Sequence, residues 1–81
     1  MRWSHTRRSE RDYRGAPPAV QHAFDKQILF LVTNLHHPSL RAKKYDEVNN
    51  LWQARVNRDW RFYFRIDGDL YTIVTIVPHP K

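Results

Sequence analysis

The chain has 81 residues, no cysteine, and 14 Lys+Arg against 8 Asp+Glu, for a formal net charge of +6. That length bounds it to a single small domain over residues 1–81 with a modest core, and the missing cysteines exclude a disulfide framework and suit the reducing cytoplasm. No apolar run approaches the ~20 residues of a membrane span, residues 1–5 lack the apolar core of a signal peptide, and a pI near 10.2 favours a polyanionic partner.

Residues 1–5 suit a short strand. Thr6 is placed to N-cap a charged helix over residues 6–14, in which Tyr13 is the one anchor for burial, and Gly15-Ala16-Pro17-Pro18 ends it. Pro18 suits the first turn of a second helix. Over residues 19–35, Val20, Phe24, Ile28, Leu31 and Leu35 recur at spacings of four, four, three and four, which is one face of a helix. Pro38 stops it, because the residue before a proline avoids the helical region. Residues 38–46 read as a basic connector and residues 46–50 as a polar loop.

Three strands follow, over residues 51–57, 60–67 and 70–77. In the first two, Trp52, Ala54, Val56, Trp60, Phe62, Phe64 and Ile66 share one parity, and Gln53, Arg55, Asn57, Arg61, Tyr63 and Arg65 the other. Alternation at period two predicts one buried aromatic face and one open face of guanidinium, amide and phenol groups. The third run is apolar at nearly every position, as in a strand covered on both faces or a central one. Short turns at Asn57-Arg58-Asp59 and Asp67-Gly68-Asp69 predict an antiparallel meander. The expected class is α+β: a small antiparallel sheet, with a short N-terminal strand as a further candidate, and two helices packed on one face.

Four pieces of the chain, in this order, carry a resemblance. They are His37-Pro38-Ser39-Leu40-Arg41 with Lys43-Lys44, then Trp52-Gln53-Ala54-Arg55-Val56-Asn57, then Trp60-Arg61-Phe62-Tyr63-Phe64, and finally Gly68-Asp69 ahead of Pro78-His79-Pro80-Lys81. The ordered set resembles the RelE/ParE superfamily of bacterial toxins from type II toxin–antitoxin modules. RelE-like members cut messenger RNA in the ribosome without metal, and ParE-like members share the fold but inhibit DNA gyrase without chemistry. The resemblance implies a cognate antitoxin, mRNA and the ribosome as partners, and it places Arg55, Arg61 and His79 where RelE-like nucleases carry catalytic or phosphate-binding groups. Two departures stand out. Ser9 and Glu10 replace apolar residues found in the first helix of many relatives, and no tyrosine follows His79.

Metal-free RNA cleavage needs a base for the 2′-hydroxyl, a cationic cradle for the crowded phosphate and an acid for the leaving 5′-oxygen. Histidine is the side chain whose reference pKa lies nearest neutrality, so His79 is a natural candidate for proton transfer. Arg55 and Arg61 offer the planar forks that suit phosphate. Lys43, Lys44, Asn57, Arg65 and Lys81 are candidates for the RNA track, and Tyr63 for stacking on a base. Each has a plainer reading: the arginines as solvated cross-strand partners of acidic groups, Tyr63 as an ordinary sheet residue, His79 as an exposed chain end. Five histidines at scattered positions, with neither cysteine nor a His-Glu-x-x-His run, predict no metal site. With two glycines and no phosphate-binding loop, no nucleotide cofactor is expected. The nuclease is the leading reading. A ParE-like gyrase inhibitor, or a non-toxic member that only binds RNA or an antitoxin, are its rivals.

Overall fold

A computed structural model of the chain describes residues 1–79. Its elements run β1 (Arg2–His5), α1 (Arg7–Gly15), α2 (Pro18–Thr33), β2 (Lys43–Asp46), β3 (Leu51–Arg55), β4 (Trp60–Asp67) and β5 (Leu70–Pro78). The strands form one five-stranded sheet in the order β1-β5-β4-β3-β2. Every pairing is antiparallel except β1 with β5, which is parallel, so β5 lies inside the sheet as its apolar run predicts. The α+β class and the N-terminal strand are as expected.

The buried parity is the aromatic one. Ala54, Phe62 and Phe64 are buried and meet Phe24, Ile28 and Leu31 of α2, with the Phe24 and Phe62 rings edge to face at 5.3 Å. Such ring pairs add to the area that burial removes from water. One position of the α2 stripe is polar: Gln27, only 5% exposed. Among the described residues, no helix is long and apolar enough to cross a membrane.

The charged helix α1 packs despite having few apolar residues. Thr6 accepts the Ser9 N–H at 3.1 Å, the expected N-cap. Ser9 is fully buried, and its hydroxyl donates to the Thr6 carbonyl at 3.2 Å and lies 2.8 Å from His5 Nδ1. A polar side chain at an apolar position is tolerated here because its hydrogen bonds are made. Tyr13 anchors the helix as predicted, donating to Asp25 of α2 at 2.9 Å.

Helix α1 also covers the edge of β5 beyond the end of β1. Thr6 donates through its hydroxyl to the Val74 carbonyl at 3.0 Å, and the Asp12 carboxylate accepts the Ile76 N–H at 3.0 Å and the Thr75 hydroxyl at 2.6 Å. These bonds replace a missing strand with a helix.

The stretch over residues 38–46 departs from the expected connector, because its second half is strand β2. Four residues, two of them lysines, show no apolar alternation, and short charged strands of that kind are typical of sheet edges. Leu40, fully buried, pins the approach, and the Arg55 N–H donates to its carbonyl at 2.8 Å. The β4–β5 turn uses Gly68 at φ 61°, as its sequence predicts. In the β3–β4 turn the Asn57 side chain accepts the backbone N–H groups of Asp59 and Trp60, both at 2.9 Å.

Candidate active site

The open parity of the meander brings Arg55 of β3 directly opposite Arg61 of β4. Like charges so placed repel and weaken the sheet, and neither arginine belongs to the two ion pairs among the described residues, Arg2–Asp69 and Arg14–Glu10. A cavity of about 260 Å³ opens over the pair, lined by Arg41, Lys43, Gln53, Arg55, Arg61 and His79 together with the backbone at Ala54. Four cations and a histidine converge on it, and none of the lining residues is acidic.

Arg61 and Arg41 are held by separate devices. Arg61 curls back over the β3–β4 turn, where its Nη1 lies 2.7 Å from the Asn57 carbonyl, 2.9 Å from that of Trp60 and 3.2 Å from that of Arg58. The guanidinium is therefore fixed, not solvated and free as the strand alternation alone suggests. Burial holds its pKa below the usual arginine range, and repulsion from Arg55 and Arg41 lowers it further, with Tyr63 and Asp59 acting the other way. The Arg55 Nε is shielded from solvent and has no hydrogen-bond partner among the described residues. A shielded donor without an acceptor is costly in a resting protein.

Arg41 has φ 46°, in the left-handed region that a side chain other than glycine or asparagine seldom adopts. The conformation persists because its surroundings over-determine it. Leu40 is buried on one side, and behind it the Gln27 amide donates to the Ser39 carbonyl at 2.9 Å and the Arg55 carbonyl at 2.8 Å while accepting the Ser39 hydroxyl at 2.8 Å. One buried amide thus ties α2, the loop before β2 and β3 together beneath the cations. His79 reaches the same cavity from the end of β5, its N–H donating to the Asp59 carbonyl at 2.7 Å.

The structure brings together Arg55, Arg61, His79 and Lys43 of the sequence candidates. Of the other candidates, Lys44, Asn57, Tyr63 and Arg65 do not line that cavity. Lys44 pairs with Trp52 on the opposite parity, its Nζ donating to Asn50 at 2.8 Å and sitting 5.2 Å from the Trp52 ring centre. Arg65 is exposed and four residues along β4 from Arg61, about 13 Å at strand spacing. Asn57 shapes the turn. Tyr63 accepts a hydrogen bond from Gln53 at 2.8 Å and meets Tyr45 edge to face at 5.0 Å, and Tyr45 is 59% exposed. Lys81 lies outside the described residues. No group of three or more metal-binding side chains occurs among the described residues.

Arg41 and Gln53 were not among the sequence candidates. Gln53 sits on the open parity and was legible there. An arginine in a left-handed turn carries no such cue.

No family model and no curated protein matches the chain. Solved structures do. A YoeB/ParE toxin from Agrobacterium tumefaciens superposes with a TM-score of 0.82 at 15% identity, over 99% of this chain and 100% of its own. The YoeB dimer from Staphylococcus aureus gives 0.81 at 12% identity, over 99% and 98%. The RelB–RelE antitoxin–toxin complex from Methanococcus jannaschii gives 0.76 at 14% identity, over 91% and 87%. The chain therefore has the fold of the RelE/ParE toxin superfamily.

Proposed function

We propose that this chain is the toxin of a type II toxin–antitoxin pair and acts as a metal-independent endoribonuclease on ribosome-bound mRNA in the cytoplasm. The observation that carries the reading is the cavity in which Arg41, Lys43, Arg55 and Arg61 converge with His79 and with no carboxylate. Such a site repels a divalent cation and attracts a phosphodiester.

In the proposed reaction the 2′-oxygen attacks the adjacent phosphorus. The new P–O2′ bond forms as the P–O5′ bond breaks, leaving a 2′,3′-cyclic phosphate and a 5′-hydroxyl. The 2′-hydroxyl gives its proton to solvent water, and the departing 5′-oxygen takes one from a side chain that solvent then reprotonates. His79 is the lining side chain of the type best suited to proton transfer and is assigned the transfer to the leaving oxygen. Arg61 and Arg55 face the phosphate, where charge builds as phosphorus becomes five-coordinate. Arg61 is already anchored to the turn, so little is lost in ordering it. Lys43 and Arg41 neutralise the flanking backbone.

An antitoxin partner is part of the same proposal. The RelE of the Methanococcus jannaschii structure is in complex with an antitoxin, and a net charge of +6 here calls for a neutralising segment rich in acidic residues.

The test is growth arrest and mRNA cleavage on translating ribosomes by wild type, Arg61→Ala and His79→Ala, with thermal melts as the folding control. Folded variants that lose about 100-fold or more in cleavage support the assignment. Variants that cleave at the wild-type rate overturn it. Growth arrest with inhibited gyrase and intact mRNA assigns the chain to the ParE-like mode instead.

A further inference from the structure

Behind the cavity just described lies a larger groove of about 680 Å³, between α2, the loop at Pro38–Ser39 and the β3–β4 turn. Its size falls within the roughly 300–1,000 Å³ of ligand pockets. Arg41 and Arg55 line both hollows and form the ridge between them. The groove adds two cations of its own, Lys26 of α2 and Arg58 of the turn. No lining residue is acidic, and its apolar floor is limited to Ala23, Pro38 and Val56.

We infer that this groove holds the backbone of the same RNA strand beyond the phosphate at Arg61, so that the bound strand crosses the Arg41–Arg55 ridge and is gripped again by Lys26 and Arg58. The inference rests on the nuclease reading and extends it to the substrate's length. Three observations support it. The two hollows are contiguous through shared arginines. Across both, six cations line the path with no carboxylate among them. And the ridge holds the two least relaxed groups of the site: the left-handed Arg41 and the unpartnered Arg55 Nε.

Lys26 and Arg58 are exposed, and both point charges act by phosphate contact. Their effect is one of strand length and salt, independent of base identity. Each contact to a single strand contributes about 0.7 to the slope of log K against log salt.

The experiment compares binding of single-stranded RNAs of four and twelve nucleotides, 2′-O-methylated throughout to block cleavage, by fluorescence anisotropy across a salt series. Wild type binds the longer RNA more tightly. In the Lys26→Gln/Arg58→Gln double variant, the ratio of the two affinities falls about tenfold and the salt slope for the longer RNA drops by about 1.4. Lys26→Arg/Arg58→Lys, which keeps both charges, retains the slope and serves as the control for packing. A double variant with unchanged ratio and slope overturns the inference while leaving the nuclease reading intact. Loss of binding to polyglutamate with long-RNA binding intact also overturns it, since the groove then serves an acidic protein. Wild type that binds neither RNA also overturns the inference, and the nuclease reading is then decided by cleavage on translating ribosomes.

Discussion

Arg55 and Arg61 are direct cross-strand neighbours that share a cavity and, among the described residues, form no ion pair. Opposed like charges cost the sheet stability, by the same scale of roughly 0.2–1 kcal/mol that favourable pairs contribute. A pair that costs the sheet in this way fits the phosphate-binding role proposed for it. Arg55→Gln should leave the melting temperature unchanged or raise it, while lowering RNA cleavage about 100-fold. Arg61→Ala relieves the same repulsion but gives up its bonds to the turn carbonyls, worth about 1 kcal/mol net. Its stability should fall by less than about 1 kcal/mol, with a similar loss of cleavage. Arg61→Lys keeps the charge without the planar fork and should recover little activity. Thermal melts beside ribosome-dependent cleavage read both effects; a large destabilisation in Arg55→Gln would contradict the account.

The two adjacent lysines should behave differently. Lys43→Ala removes a charge from the cavity and should weaken RNA binding several-fold with little change in stability. Lys44→Ala should leave RNA binding near wild type. It should instead cost about 0.5–1 kcal/mol from the lost contact to Trp52. Binding titrations with both variants at one salt concentration separate the two; equal losses of affinity would refute the assignment of Lys44 to the other side of the sheet.

Gln27 is a structural residue with a functional readout. Its side chain takes part in three hydrogen bonds in a buried setting. Gln27→Ala strands their partners and should cost about 2–3 kcal/mol, or roughly 10–20 °C in a domain of this size. Gln27→Met fills the space without the bonds, and should recover packing but lower activity, because the loop carrying Arg41 is then tied to β3 only by the Arg55 N–H bond to the Leu40 carbonyl. A Gln27→Met protein that cleaves at the wild-type rate would show that the tie is dispensable.

His5 gives the fold an acid sensitivity. Burial against Trp3, Tyr13 and Phe24 holds its pKa below the ordinary histidine value, although Glu10 and Asp25 pull the other way. The unfolded chain takes up this proton near pH 6.5, the folded chain only at lower pH. Between those values the unfolded state binds more protons, so stability falls as pH falls. The contribution is complete above about pH 6.5 and is lost progressively below it. Melting curves from pH 7.5 to 5 should show a smaller drop for His5→Gln than for wild type; parallel curves would exclude His5 as the source.

The site was legible where a short period governs it. Alternation over residues 52–66 sorted core from open face, and a tight turn then forces Arg55 and Arg61 together. What escaped has physical reasons. Alternation tells which face a side chain leaves from and not where a long one curls, so the clasp of Arg61 on its own turn was missed. Strand β2 has too few residues and too many charges to show a period. Gln27 did leave a trace, a polar side chain in phase with Phe24, Ile28 and Leu31, whose meaning depends on a loop far along the chain. The open-face aromatic pair was half visible, since Tyr63 sits on the open parity but Tyr45 belongs to the unrecognised strand.

The parallel ladder between β1 and β5 sets the order in which the molecule can be completed. Arg2 pairs with Leu70 and His5 with Ile73, nearly the whole chain apart. Closing so long a loop is entropically slow compared with zipping neighbouring strands. Strands β3, β4 and β5 are joined by tight turns and can assemble early, bringing Arg55 opposite Arg61. Strand β1, made before the rest of the sheet, is therefore among the last elements to find its partner, since it must wait until Ile73 has left the ribosome.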